Sequence, residues 1–99
     1  MKLLISQSAF EDLESILEYY KEQLVPNIGE QLVASIIEHL ELLKEHPDIG
    51  RIVPEFEEDY IREIIHPPFR IAYLRETTAI QIIRVWRSER ILKLPADEA

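Results

Sequence analysis

The sequence predicts a small α+β domain in which one strand is followed by two helices and then three strands. Two amphipathic stretches fill much of residues 8–46, β-branched and aromatic runs dominate residues 60–87, and Pro26, Pro47, Pro54, Pro67 and Pro68 punctuate the joins. With 99 residues there is room for one domain, taken as residues 1–99, and a chain that is 46% hydrophobic and 30% charged has the composition of a globular protein.

Lys2 to Ile5 reads as the first strand. Ser8 followed by Glu11 has the spacing of a capping box and predicts a helix start there. Phe10, Leu13, Leu17, Tyr20 and Leu24 then recur at steps of three and four as one apolar stripe, with Glu11, Asp12, Glu14, Glu18 and Glu22 over much of the remaining surface. This helix is expected to stop near Val25, because Pro26 intervenes and Asn27 with Glu30 repeats the capping spacing. So short a link makes the two helices antiparallel neighbours. The second helix carries Leu32, Val33, Ile36, Ile37, Leu40 and Leu43, an apolar face broad enough for two partners, and ends at His46-Pro47.

Residues 48–59, with Gly50, Pro54 and the acidic run Glu57-Glu58-Asp59, are expected to form a connecting loop. Tyr60 to Ile65, Phe69 to Arg75 and Ala79 to Arg87 follow as strands. Alternation sets Phe69, Ile71 and Tyr73 on one face, expected under the helices, and Arg70, Ala72 and Leu74 on the other, expected to be open. In the last strand Ile80, Ile82 and Trp86 compete with Ile83 and Val85 for the core, and the register stays open. The end from Lys93 to Ala99 is expected to fray.

The formal charge of −8 is unevenly spread. Residues 1–50 hold three lysines and no arginine against ten acids, net −7, whereas residues 60–93 hold six arginines and one lysine against three acids, net +4. Arg62, Arg70, Arg84, Arg87 and Arg90 lie in or just after the predicted strands, where a guanidinium offers a fixed fork of donors for phosphate or carboxylate. Trp86 and Tyr73 could stack on a base beside them, although aromatic residues at strand positions are more often core. Glu55 is the one loop carboxylate kept as a possible general base.

Other chemistries find no support in the residues. There is no cysteine for a disulfide or thiolate, and His39, His46 and His66 show no ligand spacing, so neither metal nor cofactor is expected. No phosphate-binding glycine motif or G-x-S-x-G occurs. No apolar run is long enough for a membrane span, the N-terminal apolar stretch is too short for a signal peptide, and a cytoplasmic location is expected.

Several segments together resemble the RelE/ParE superfamily of type II toxins: Ser8-Ala9 and Asp12-Leu13, Tyr19-Tyr20, Pro47-x-x-Gly50-Arg51-x-Val53-Pro54-Glu55, Ile61-Arg62-Glu63-Ile64, Pro68-Phe69-Arg70-Ile71-Ala72-Tyr73, and Ile83-Arg84-Val85-Trp86-Arg87-Ser88-Glu89-Arg90. The resemblance runs over nearly the whole chain. It implies a curved, mainly antiparallel sheet with a helical hairpin on one face, and a cognate antitoxin that wraps and neutralises the toxin. It also implies one of two targets: DNA gyrase, poisoned by ParE-like members, or mRNA on the ribosome, cleaved by RelE-like members.

In the ribonuclease case Arg70 matches the arginine of the family's Y-R-hydrophobic-x-Y segment, Arg87 or Arg90 the basic residue of the last strand, and Glu55 a carboxylate base. The C-terminal Tyr or His of such ribonucleases is missing, since neither residue follows Tyr73. That departure, with the acidic net charge, ranks the gyrase-directed toxin first and the ribonuclease second. An inactive partner-binding relative is the third reading. Antitoxin carboxylates are expected near Arg62, Arg70 or Arg87, on a basic sheet surface that also includes Arg84, Arg90 and Trp86.

Overall fold

The computed structural model of the chain describes residues 1–87. Its elements are β1 (Lys2–Ile5), α1 (Gln7–Glu22), α2 (Pro26–Glu41) with a 3-10 turn over Leu42–Lys44, β2 (Arg51–Ile52), β3 (Ile61–His66), β4 (Phe69–Arg75) and β5 (Ala79–Arg87). One five-stranded sheet has the order β1-β5-β4-β3-β2. β1 runs parallel to β5, and every other pairing is antiparallel. The anticipated α+β order and mainly antiparallel sheet are therefore present, with one strand added. Arg51–Ile52, inside the segment expected to be loop, pairs with Glu63 and Arg62 as an edge strand. Arg90 and the tail from Lys93 lie outside the described residues.

Both helix starts differ from the capping-box expectation. The Ser6 backbone N–H donates to the Ile82 carbonyl at 2.9 Å, so Ser6 is the last residue held by the sheet, and its Oγ accepts from the Ala9 N–H at 3.1 Å as the N-cap. At α2 the first helical residue is Pro26, whose fixed φ and missing N–H suit that position, and no side chain caps it.

Between the helices the chain reverses through Leu24, which has φ 63° and is 87% exposed. The Leu24 N–H donates to the Lys21 carbonyl and the Val25 N–H to the Tyr20 carbonyl, a Schellman closure with leucine where glycine is usual. Gly29 lets α2 approach α1, since a Cβ there would lie 2.9 Å from the Cβ of Tyr20.

The main core lies between the hairpin and the sheet. Ala9, Leu13, Ile16, Ile36, Leu40 and Leu43 pack on Ile64, Phe69, Ile71, Tyr73, Ile80, Ile82 and Val85. The stripe of α1 is therefore rotated from the expected one: Leu13 and Tyr20 face inward with Ala9 and Ile16, while Phe10, Leu17 and Leu24 are exposed. On α2, Ile37 likewise turns outward.

A second core covers the face expected to be open. Val53, Ile61, Ala72, Ile83 and Trp86 pack together there, with Phe56 and Leu74 at their margin. The open register of β5 is resolved by an irregularity in its pairing: Ala72 faces Arg84 but Tyr73 faces Ile82, leaving Ile83 as an extra residue. The bulge changes the phase, so Ile80, Ile82 and Val85 join the helix-side core while Ile83 and Trp86 join the other.

Candidate functional site

Alternation along β4 places Arg70 on the second face, but the side chain there is enclosed and only 7% exposed. This corrects the expectation of an open, basic surface. Each Arg70 nitrogen donates to a carboxylate: Nε to Glu63 Oε1 at 2.6 Å, and Nη1 and Nη2 to the two oxygens of Glu55 at 2.8 Å each. Glu63, 1% exposed, also accepts from Arg51 Nε at 2.6 Å. Trp86, directly opposite Arg70 on β5, places its ring 5.1 Å from the guanidinium carbon. The hydrogen bonds Arg70 donates to Glu55, and after them its hydrogen bond to Glu63 and the charge of both carboxylates, push the Arg70 pKa above its already high usual value, against the opposing effect of burial.

The loop after β2 supplies Glu55 because Val53 is anchored in the second core, its N–H donating to the Ile61 carbonyl at 3.1 Å. Glu55, the carboxylate kept as a possible general base, pairs with Arg70, while Arg51 pairs with Glu63.

Arg62 does not share this cluster. It alternates with Glu63 on β3 and lies opposite Tyr73, with Nη1 donating to the Gly50 carbonyl at 3.0 Å and Nε 3.9 Å from Asp48. At that distance Nε makes no hydrogen bond, so the attraction is electrostatic only. Arg75 bonds Asp48 at 2.9 Å. The wholly buried Tyr73 ties this region together: its hydroxyl donates to the Pro47 carbonyl at 2.8 Å and accepts from the Gly50 N–H at 2.9 Å. A Cβ at Gly50 would lie 2.6 Å from that hydroxyl. Burial pushes the Tyr73 phenol above its usual range.

Three of the anticipated residues do converge. Arg84, Trp86 and Arg87 line a groove of about 420 Å³ between α1 and the ends of β4 and β5, together with Asp12, Tyr19 and Phe69. Arg84 Nε donates to Asp12 at 2.9 Å, and the same carboxylate accepts from the Val85 N–H at 2.8 Å, which fixes α1 to β5. The exposed Arg87 places its guanidinium carbon 6.0 Å from the Phe69 ring. Among the described residues no three His, Cys, Asp or Glu side chains gather to hold a metal, and no helix is long and apolar enough to cross a membrane.

The sequence reading missed one constellation. His39 on α2 and His66 on β3 meet Nδ1 to Nδ1 at 2.9 Å, and the other nitrogen of His66 lies 3.0 Å from Ser35 Oγ. A separation of 27 residues carries no periodic signal.

A helical hairpin laid on a five-stranded, mainly antiparallel sheet, with most strand arginines tied to the protein's own carboxylates, has the architecture of the small toxins the sequence resembles. The chain belongs to the family described as ParE toxin of type II toxin-antitoxin system, parDE, whose model matches residues 3–92. It is thus the toxin component of a type II toxin-antitoxin module. Among solved structures it is similar to a chain of the chromosomal ParDE system from P. aeruginosa, with a TM-score of 0.75 and 26% identity over 88% of this chain and 95% of that one. No curated protein matches it.

Proposed function

We propose that the chain, acting as one unit over residues 1–99 in the cytoplasm, inhibits DNA gyrase by binding it and is held inactive by its cognate antitoxin. The observation that carries this reading is the state of Arg70. Cleavage of RNA needs a cation turned toward the developing charge on phosphorus and a base free to take the 2′-hydroxyl proton. Arg70 instead donates from every nitrogen to Glu55 and Glu63, and Glu55 has both oxygens on Arg70. Two residues that would serve a ribonuclease, Arg70 and Glu55, neutralise one another, and a binding toxin needs no such chemistry.

For the antitoxin, the groove lined by Arg84, Trp86 and Arg87 is the better supported part of the anticipated surface. Tyr19 and Phe69 supply apolar floor, and Arg87 supplies an exposed cation at its rim. An acidic, apolar segment of the antitoxin fits that combination. Induced expression with and without the adjacent open reading frame tests the whole reading. Growth arrest with DNA damage, relieved by the neighbouring gene, is the expected result. Loss of mRNA without DNA damage would instead favour ribonuclease action, and harmless expression alone an inactive relative.

A further inference from the structure

The three side chains Ser35, His66 and His39 form a chain of contacts whose hydrogen-bond directions follow from donor counting. The Ser35 hydroxyl has one hydrogen and donates it to the Leu32 carbonyl at 2.8 Å. The 3.0 Å contact between Ser35 Oγ and His66 Nε2 must then be a donation from His66. A neutral His66 protonated on Nε2 has only a lone pair on Nδ1. His39 must therefore donate its Nδ1–H across the 2.9 Å gap to His66 Nδ1.

A proton added at the far nitrogen of His39 leaves the whole chain intact. A second proton, added to His66 Nδ1 while His39 is charged, sets two N–H groups against each other at 2.9 Å and removes the His39–His66 bond, leaving only the bond from His66 Nε2 to Ser35 between the triad's two elements.

We propose that this triad is an acid-sensitive clasp, closed while His66 is neutral and opened when both imidazoles are charged. It joins the second half of α2 to the end of β3, one turn before Phe69 in the groove described above. Among the described residues, no carboxylate bonds either ring. The polar groups reaching His66 are Ser35 and His39, both from α2, and its cross-strand neighbour on β4 is the apolar Phe69.

Burial first, and the charge of His39 second, lower the His66 pKa below its usual value. A group depressed on folding gives stability that is present above the unfolded value, about 6.5, and lost as pH falls through the folded one. This device does not depend on the identity of the target.

Long-range proton–nitrogen NMR of the intact chain across pH 7.5 to 5 tests the clasp, with His39→Gln beside the parent. The expected spectra show His66 protonated on Nε2 and His39 on Nδ1 at pH 7.5, the latter the less common tautomer of free histidine. The His66 midpoint should lie below that of a free imidazole and move up in His39→Gln. The melting temperature should also fall more steeply with acid in the parent than in that variant. A His66 ring protonated on Nδ1 at pH 7.5, a midpoint at or above the free value, or parallel melting curves would overturn the proposal. Should His39→Gln fail to fold, the tautomers and midpoint in the parent alone decide it.

Discussion

On the helix side of the sheet Ile36, Leu40, Leu43, Ile71, Ile80 and Ile82 are wholly buried against one another, whereas the opposite side encloses Glu63 and Arg70 among Val53, Ala72 and Trp86. The first region is held by apolar area and close packing, which respond to volume. In the second, burial is tolerable only because each charge is paired, and it responds to the loss of one partner. The difference separates two meanings of a strand arginine. Arg70 is basic in the sequence and enclosed within the fold between Glu55 and Glu63, while Arg87, on the same sheet, is exposed and lines a groove.

The sharpest way to break this comparison is Arg70→Ala, which leaves Glu63 with Arg51 alone and Glu55 without its hydrogen bonds from Arg70. Breaking a buried pair by deleting one partner costs about 3–5 kcal/mol, and urea denaturation should show a loss of that size. In a Glu63→Ala background the same change should cost less by about 1–3 kcal/mol, a coupling that a solvated arginine would not show. On the helix side, Leu40→Ala should cost about 2–5 kcal/mol through lost burial and a cavity.

Tyr73→Phe comes next. It leaves the Gly50 N–H and Pro47 carbonyl without their partner, for about 1–3 kcal/mol. The raised phenol pKa makes its contribution full below about pH 10 and lost as pH climbs through the folded value, so the parent should lose more stability than Tyr73→Phe on going from pH 9 to 11.

Arg87→Ala should change stability by less than about 0.5 kcal/mol, as expected of an exposed position, yet weaken antitoxin binding about tenfold in calorimetric titration. The smallest effect is favourable. Leu24→Gly relieves a left-handed leucine that buries almost nothing, and should raise stability by about 0.5–1 kcal/mol.

Periodicity made the element order, the helical hairpin and the two faces of β4 legible, because Phe69, Ile71 and Tyr73 alternate cleanly with Arg70, Ala72 and Leu74. It could not show that both faces are covered. The loop that covers the second face contributes only Val53 and Phe56 to its apolar cluster, followed by the acids Glu57, Glu58 and Asp59, and reads as solvated. Ser6 was hidden as a cap because its role depends on the sheet bond to Ile82, a contact 76 residues away. The β5 register stayed open for a physical reason: a bulge changes the phase within the strand, so neither alternation describes its whole length. Five strand arginines were visible as a group. The separation of the four within the described residues into internal ties and a groove lining depends on acids such as Asp12, Glu55 and Glu63, which lie far apart in the chain.

The central claim is that this ParE-family toxin acts by binding gyrase while its Arg70 cluster serves the fold. The most direct measurement is the supercoiling and DNA-cleavage activity of purified gyrase titrated with the purified chain. Dose-dependent loss of supercoiling, reversed by the cognate antitoxin, is the predicted result. Unchanged supercoiling and no accumulation of cleaved DNA, at concentrations that arrest growth in cells, would contradict it.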